Sequence, residues 1–400
     1  MTRRFAVLLS VLAIAWAMTL SIVPVAGQGA ATRPGDPLPG ITPREFDAFR
    51  VGLNAFTGVE TVDEGLGPAF NGTSCGACHS VPAIGGISPM AEVRAGHRDA
   101  DGTFRALDAA GNTLFHTFSL PNHVCQPVLP PDANVIARRM PIPLFGAGLI
   151  EAIPDDTLLA LADPLDRNRD GSAGRASVVI DAATGERRVG RFGWKAQVAT
   201  LLTFSGDAYR NEMGITNDVF PSELAYGIHP DRMKACDVSP DPEDKPDPVT
   251  GLRDIDHFTA FMKFLAPVAR GPIDDAVRDG ERVFAAVGCA ACHVPALTTG
   301  ASANPLFDRR TVPLYSDLLL HNIGTGDGIK QSDSTASPDE MRTPALWGVR
   351  MRRPLLHDGS AATVEDAIKR HAGEAQTARE GFIRLDERAR ASLLAFMQSL

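Results

Sequence analysis

Two five-residue motifs, Cys75-Gly76-Ala77-Cys78-His79 and Cys289-Ala290-Ala291-Cys292-His293, carry the chemistry most plainly legible in this chain. In an exported protein this pattern attaches a c-type haem. The two thiols add to the two vinyl groups on one porphyrin edge, and the histidine that follows gives an imidazole nitrogen to iron. Zinc is the other chemistry open to Cys and His, but zinc sites do not require a histidine directly after the second cysteine. Two covalently bound haems c are therefore expected, held by Cys75, Cys78 and His79 and by Cys289, Cys292 and His293, and the chemistry is redox.

The N-terminus supports export. Arg3 and Arg4 precede an apolar run from Phe5 to about Val25, and Val25-Ala26-Gly27 offers small residues for cleavage before Gln28. Residues 1–27 read as a signal peptide and the destination as the periplasm; the length of the run leaves an uncleaved membrane anchor as the alternative. The rest of the 400 residues, 44% hydrophobic and 22% charged overall, has an ordinary globular composition with room for two or three domains. A net charge of -9 argues against a nucleic-acid partner. Of six cysteines, Cys125 and Cys236 lie outside the motifs, and in an oxidising compartment they form a disulfide or stay as two thiols.

The elements that must position these groups are mostly helical. Residues 28–40, rich in Gly and Pro, read as a flexible lead-in. Thr42-Pro43-Arg44-Glu45 is a capping box opening a helix to about Phe56. Residues 80–145 read as a long irregular stretch with short elements, 155–162, 192–211 and 254–265 as helices, and Val178–Ile180 with Arg187–Val189 as a small β-hairpin. Ala266–Pro272 reads as a boundary. Beyond it, Ile273–Val287 forms a helix with Gly280 and Phe284 on one face, leading into the second motif, and Leu385–Leu400 a closing helix. The expected fold is mainly α, with two cytochrome c-type haem domains, 41–270 and 271–400. The N-terminal one is enlarged by irregular insertions and the hairpin.

Several longer stretches resemble the dihaem oxidoreductase family, whose members are labelled peroxidase-like or thiol-oxidoreductase-like. They are Phe70–His79, Phe192-Gly193-Trp194-Lys195-Ala196, Asn211–Thr216, Tyr315–His321, Arg342–Gly348 and Leu356-His357-Asp358-Gly359. That family is in turn similar to bacterial dihaem cytochrome c peroxidases and to quinone-cofactor-maturing and rubber-cleaving enzymes. The resemblance implies further roles. His371, fourteen residues after His357, falls where those peroxidases place the second axial ligand of the C-terminal haem, usually Met; a solvated helix-end histidine is the alternative. His97, in Gly96-His97, matches a displaceable ligand of the first haem or is a surface histidine. Met90, His116 and His123 are further candidates there, while His321 and His357 suit structural roles. Trp194 suits a bridge between haems, or a core position, with Trp347 second.

Peroxide cleavage needs a proton carrier, for which Glu151 is the candidate, or else it is a helix-start carboxylate. Arg138 and Arg139 suit haem propionates. Asp166, Asn168 and Asp170 match the first half of a calcium loop, but Ser177 stands where its closing Glu belongs. The reading is a peroxidase-like enzyme taking electrons from a small donor protein, a cytochrome or cupredoxin, at the C-terminal haem and reducing peroxide at the N-terminal one. An oxygenase of an organic substrate and a pure electron carrier are the alternatives.

Overall fold

A computed structural model describes residues 32–108, 111–121, 126–224, 235–237 and 240–400. The signal segment, His123 and Cys125 lie outside them. Thr32–Leu400 forms one compact unit. Its described residues hold ten α-helices: α1 Pro43–Thr57, α2 Cys75–Cys78, α3 Ala147–Glu151, α4 Asp155–Leu161, α5 Leu201–Met213, α6 Asp254–Phe264, α7 Asp275–Ala286, α8 Val364–Arg370, α9 Gln376–Ile383 and α10 Glu387–Ser399. Short strands complete a mixed α/β architecture. None of the described helices is long and apolar enough to cross a membrane.

Local chemistry starts the main helices where the sequence places them. The Thr42 and Glu45 side chains each take the other's backbone amide, at 3.3 and 2.8 Å respectively, with Pro43 in the first turn of α1. Asp274 caps α7 through the Val277 amide at 2.9 Å, and Thr363 caps α8 through the Asp366 amide at 3.0 Å.

Two helix pairs repeat one design. In α1, Gly52 lets α6 approach so closely that a Cβ there would stand 2.2 Å from the His257 carbonyl oxygen. One turn on, Phe56 packs on Phe261 at 4.8 Å. In α7, a Cβ on Gly280 would stand 1.9 Å from the Ser392 carbonyl oxygen of α10, and Phe284 packs on Phe396 at 5.1 Å. The duplication thus extends beyond the Cys/His motifs to a Gly-x-x-x-Phe helix crossing ahead of each. Each crossing lies in its own apolar core.

Three sequence expectations are corrected. After a short pair made by β1 (Ala69–Phe70) with β5 (Phe118–Ser119), the stretch 80–145 contains a four-stranded antiparallel sheet, in which β2 (Glu92–Arg98) pairs with β3 (Phe104–Arg105), β4 (Leu114–Phe115) and β6 (Val135–Arg139). Its strand β2 turns the charged Glu92 and Arg94 to a cavity, so its apolar alternation is only the two small residues Val93 and Ala95. Residues 192–199 are not helical: Gly193 (φ 75) and Ala196 (φ 48) are left-handed and Phe192 bridges Val198. From Asp36 the lead-in is docked, with Leu38 buried and its amide on the Phe264 carbonyl at 2.8 Å. The 178–180/187–189 hairpin forms as read.

Candidate haem-binding site

Each motif lies on the wall of a large cavity. At the first, the Ser74 hydroxyl caps α2 through the Gly76 amide at 3.2 Å, and His79 follows the helix. The His79 Nδ1 donates to the Gly86 carbonyl at 2.9 Å, leaving Nε2 for a metal. Burial lowers its pKa, keeping it in the neutral, ligating form. The cavity has about 1730 Å³ of empty space, part of it open to solvent, and includes Cys75, Cys78 and His79 in its lining. Phe56 lies 6.1 Å from the His79 ring, as Phe284 lies 6.2 Å from that of His293.

At the second, His293 Nδ1 donates to the Tyr315 carbonyl at 3.1 Å. His371, at the end of α8, donates Nδ1 to Ala367 at 2.7 Å. Both rings line one cavity of about 1500 Å³, again partly open, with Cys289 and Cys292. Burial, with each other's proximity, holds His293 at about 4, and burial lowers His371 as well. Two neutral imidazoles, each with Nε2 uncommitted, share this cavity.

Trp194, Arg342, Val349 and Arg352 line both cavities. The indole is tightly held. Its Nε1 donates to the Met140 carbonyl at 2.8 Å, Arg352 stacks over it at 5.2 Å and the His357 ring meets it edge-on at 6.1 Å. Next to it, Lys195 is fully buried and donates to the carbonyls of Ser337, Pro338 and Glu340 at 2.7–3.1 Å. Burial pushes Arg342 and Arg352 down to about 10. Among the described residues, Nη2 of Arg352 and of Arg139 are buried without a hydrogen-bond partner, and both arginines line the first cavity. Buried cationic donors left unsatisfied beside these motifs fit a group carrying carboxylates, as haem does through its propionates.

The first cavity also holds acids. Arg94 and Arg139 keep Glu92 ionised against its burial. Glu212 has one partner, Asn71 Nδ2 at 3.0 Å, and burial beside Glu92 raises it to about 7. Burial and Asp333 raise Asp207 to about 6. No imidazole other than His79 lines this cavity among the described residues.

The family model described as "Di-haem oxidoreductase, putative peroxidase" matches residues 128–400. The chain belongs to this family. No curated protein matches the sequence. Among solved structures, hydrazine synthase from Kuenenia stuttgartiensis is 15% identical, with 96% of this chain and 100% of that chain covered and a TM-score of 0.40. The dihaem peroxidase BthA from Burkholderia thailandensis is 14% identical, with 92% and 86% covered and a TM-score of 0.40. A MauG-like protein associated with microbial copper homeostasis is 17% identical, with 64% and 89% covered and a TM-score of 0.32.

In this dihaem oxidoreductase several sequence candidates sit elsewhere than expected. His97 is not brought to the first cavity. Strand alternation gives Glu92 and Arg94 to the cavity and sends His97 to the opposite face, where Nδ1 meets the Asp132 carbonyl and Nε2 lies 3.3 Å from Asp99. Glu151 does not line the cavity either: its carboxylate takes the Leu201 amide at 2.7 Å and caps α5. Arg138 faces a separate polar hollow, whereas Arg139 reaches the cavity and pairs with Asp327 at 2.7 Å. Met90 and Trp347 line the first cavity. His116 is buried against the Asn211 carbonyl at 2.8 Å.

Near the second motif, both His321 nitrogens are committed to carboxylates, Asp317 and Glu374, at 2.8 Å each. In the calcium-like loop, Asp166, Asn168 and Asp170 accept hydrogen bonds from the amides of Gly171, Asp170 and Ser172 at 2.8–3.2 Å. Cys236 is disulfide-bonded. Sequence reasoning missed Glu212, Arg342 and Arg352. The first two stand inside family-like stretches, which was the available signal, and nothing local marks Arg352.

Proposed function

We propose that this chain is an exported dihaem c-type peroxidase. Cys75 and Cys78, and Cys289 and Cys292, would form the thioethers, and His79 and His293 would ligate iron, with His371 as the second ligand in the C-terminal cavity. When bound, the haems supply the electrons that reduce peroxide. The observation that carries this reading is the asymmetry across the Trp194 wall. One cavity offers two uncommitted imidazoles; the other offers one imidazole and an acid near neutrality.

The residues then divide the work. Arg342, Arg352 and Arg139 bind and orient the cofactors' carboxylates. Glu212 takes a proton from the peroxide oxygen that enters and returns it to the oxygen that leaves. His371 closes the second cavity to exogenous ligands and so assigns it to electron transfer. Trp194 lies between the two as the route for electrons. The electron source would be a small periplasmic redox protein, and the halves 41–270 and 271–400 would each carry one haem. Asp166, Asn168 and Asp170 are proposed as calcium ligands on residue type and spacing alone, and elemental analysis decides that point. The function itself is tested by supplying the holoprotein with a reduced small cytochrome and hydrogen peroxide. Donor oxidation at two equivalents per peroxide supports it; donor and peroxide persisting together refute it.

A further inference from the structure

We propose that Tyr315, with Glu281 and Arg270, forms a redox-active tyrosine site that feeds single electrons to the C-terminal haem position. The inference rests on the peroxidase reading and assigns the electron route within it. The first motif's histidine is anchored on a glycine carbonyl, that of Gly86, whereas the second's is anchored on the Tyr315 carbonyl at 3.1 Å. One hydrogen bond and one residue's own bonds therefore link His293 to a phenol. Aromatic contacts run in parallel: Phe284 lies 6.2 Å from both rings, and Phe396 lies 5.4 Å from Tyr315.

The phenol has a proton acceptor already in place. Tyr315 is 4% exposed, which shields a radical from solvent, yet its hydroxyl donates to Glu281, whose side chain is 40% exposed and reaches water. Arg270 Nη1 lies 3.5 Å from the phenol oxygen and 3.4 Å from the Glu281 carboxylate. The backbone here is left-handed (φ 51), a conformation that aromatic residues rarely adopt and that persists only where the surroundings enforce it.

The step balances as follows. Reducing one hydrogen peroxide to two waters takes two electrons and two protons. When the external donor is absent, Tyr315 gives one of these electrons, the other would come from the bound cofactors, and both protons come from solvent through the first cavity. The phenolic O–H bond breaks, its proton passes to the Glu281 carboxylate and its electron passes toward His293. Two electrons from the small donor protein close the cycle: one reduces the phenoxyl radical as Glu281 returns the proton, and the other replaces the electron drawn from the cofactors.

The test mixes oxidised holoprotein, without donor, with hydrogen peroxide. Freeze-quench electron paramagnetic resonance then reads radicals, and the Soret band and residual peroxide are read in parallel. The expected result is a tyrosyl signal that narrows in protein grown on ring-deuterated tyrosine. It is retained in Tyr209→Phe, lost in Tyr315→Phe and weakened in Glu281→Gln, which keeps the residue's shape and removes its charge. Peroxide consumed with no tyrosyl signal, or with one that survives undiminished in Tyr315→Phe, overturns this inference alone. Peroxide left intact beside an unchanged Soret band, in the oxidised and in the one-electron-reduced holoprotein alike, overturns the peroxidase reading with it.

Discussion

Glu212 earns its place at the scale of single residues by position: it is the carboxylate in the first cavity held near neutrality with only an amide as partner. As the group proposed to accept the peroxide proton, it would work in its ionised form. Turnover per enzyme at low peroxide is therefore expected to rise with pH through about 7, the value to which burial lifts it. Glu212→Gln should lower kcat/KM by roughly 10²–10⁴-fold and flatten that rise; a pH–rate profile checks both. The same shift has a consequence for stability. Folded Glu212 keeps its proton to about 7, whereas the unfolded chain releases it near 4.5. The stability it contributes is complete below 4.5 and lost as pH rises through 7. Urea unfolding across that window should show a shallower pH slope for Glu212→Gln. At this scale the pentads stood out because their residues are contiguous, and the structure sets each of them on a cavity wall. Glu151 and His97 misled because a residue type at the right distance does not say which face of its element meets the cavity.

Among elements, the two Gly-x-x-x-Phe crossings set where each haem motif begins. Adding one methyl at Gly52 or Gly280 forces α6 or α10 outward, since the nearest backbone oxygens would stand 2.2 and 1.9 Å away. Gly52→Ala and Gly280→Ala are each expected to destabilise by about 1–3 kcal/mol, read as a lower Tm. An unchanged Tm would show that the helices cross more loosely than described. The helices were readable from sequence because caps and apolar spacing are local. The sheet around β2 was not, because Glu92, Arg94 and Arg139 turn charges to a cavity and the alternating apolar residues, Val93 and Ala95, are few and small. The 192–199 turn escaped for a related reason: its apolar residues suit a helix, and only the left-handed Gly193 and Ala196 and the buried Lys195 reveal that it exists to hold Trp194.

The whole molecule joins two cavities through one wall, and the partition of labour depends on that wall being shared. Trp194→Phe is expected to slow electron passage between the haems while leaving each haem's absorbance spectrum in place, which stopped-flow reduction by a donor followed at both Soret components would show. A rate unchanged in that variant would move the route elsewhere. The measurement closest to the central claim is electron paramagnetic resonance of the purified oxidised and one-electron-reduced holoprotein, alone and with His371→Ala. A high-spin ferric haem in at least one redox state, beside a low-spin one that His371→Ala converts to high spin, is the predicted result. Two haems low-spin throughout, or a spectrum indifferent to His371, would contradict the assignment of an open first cavity and a closed second one.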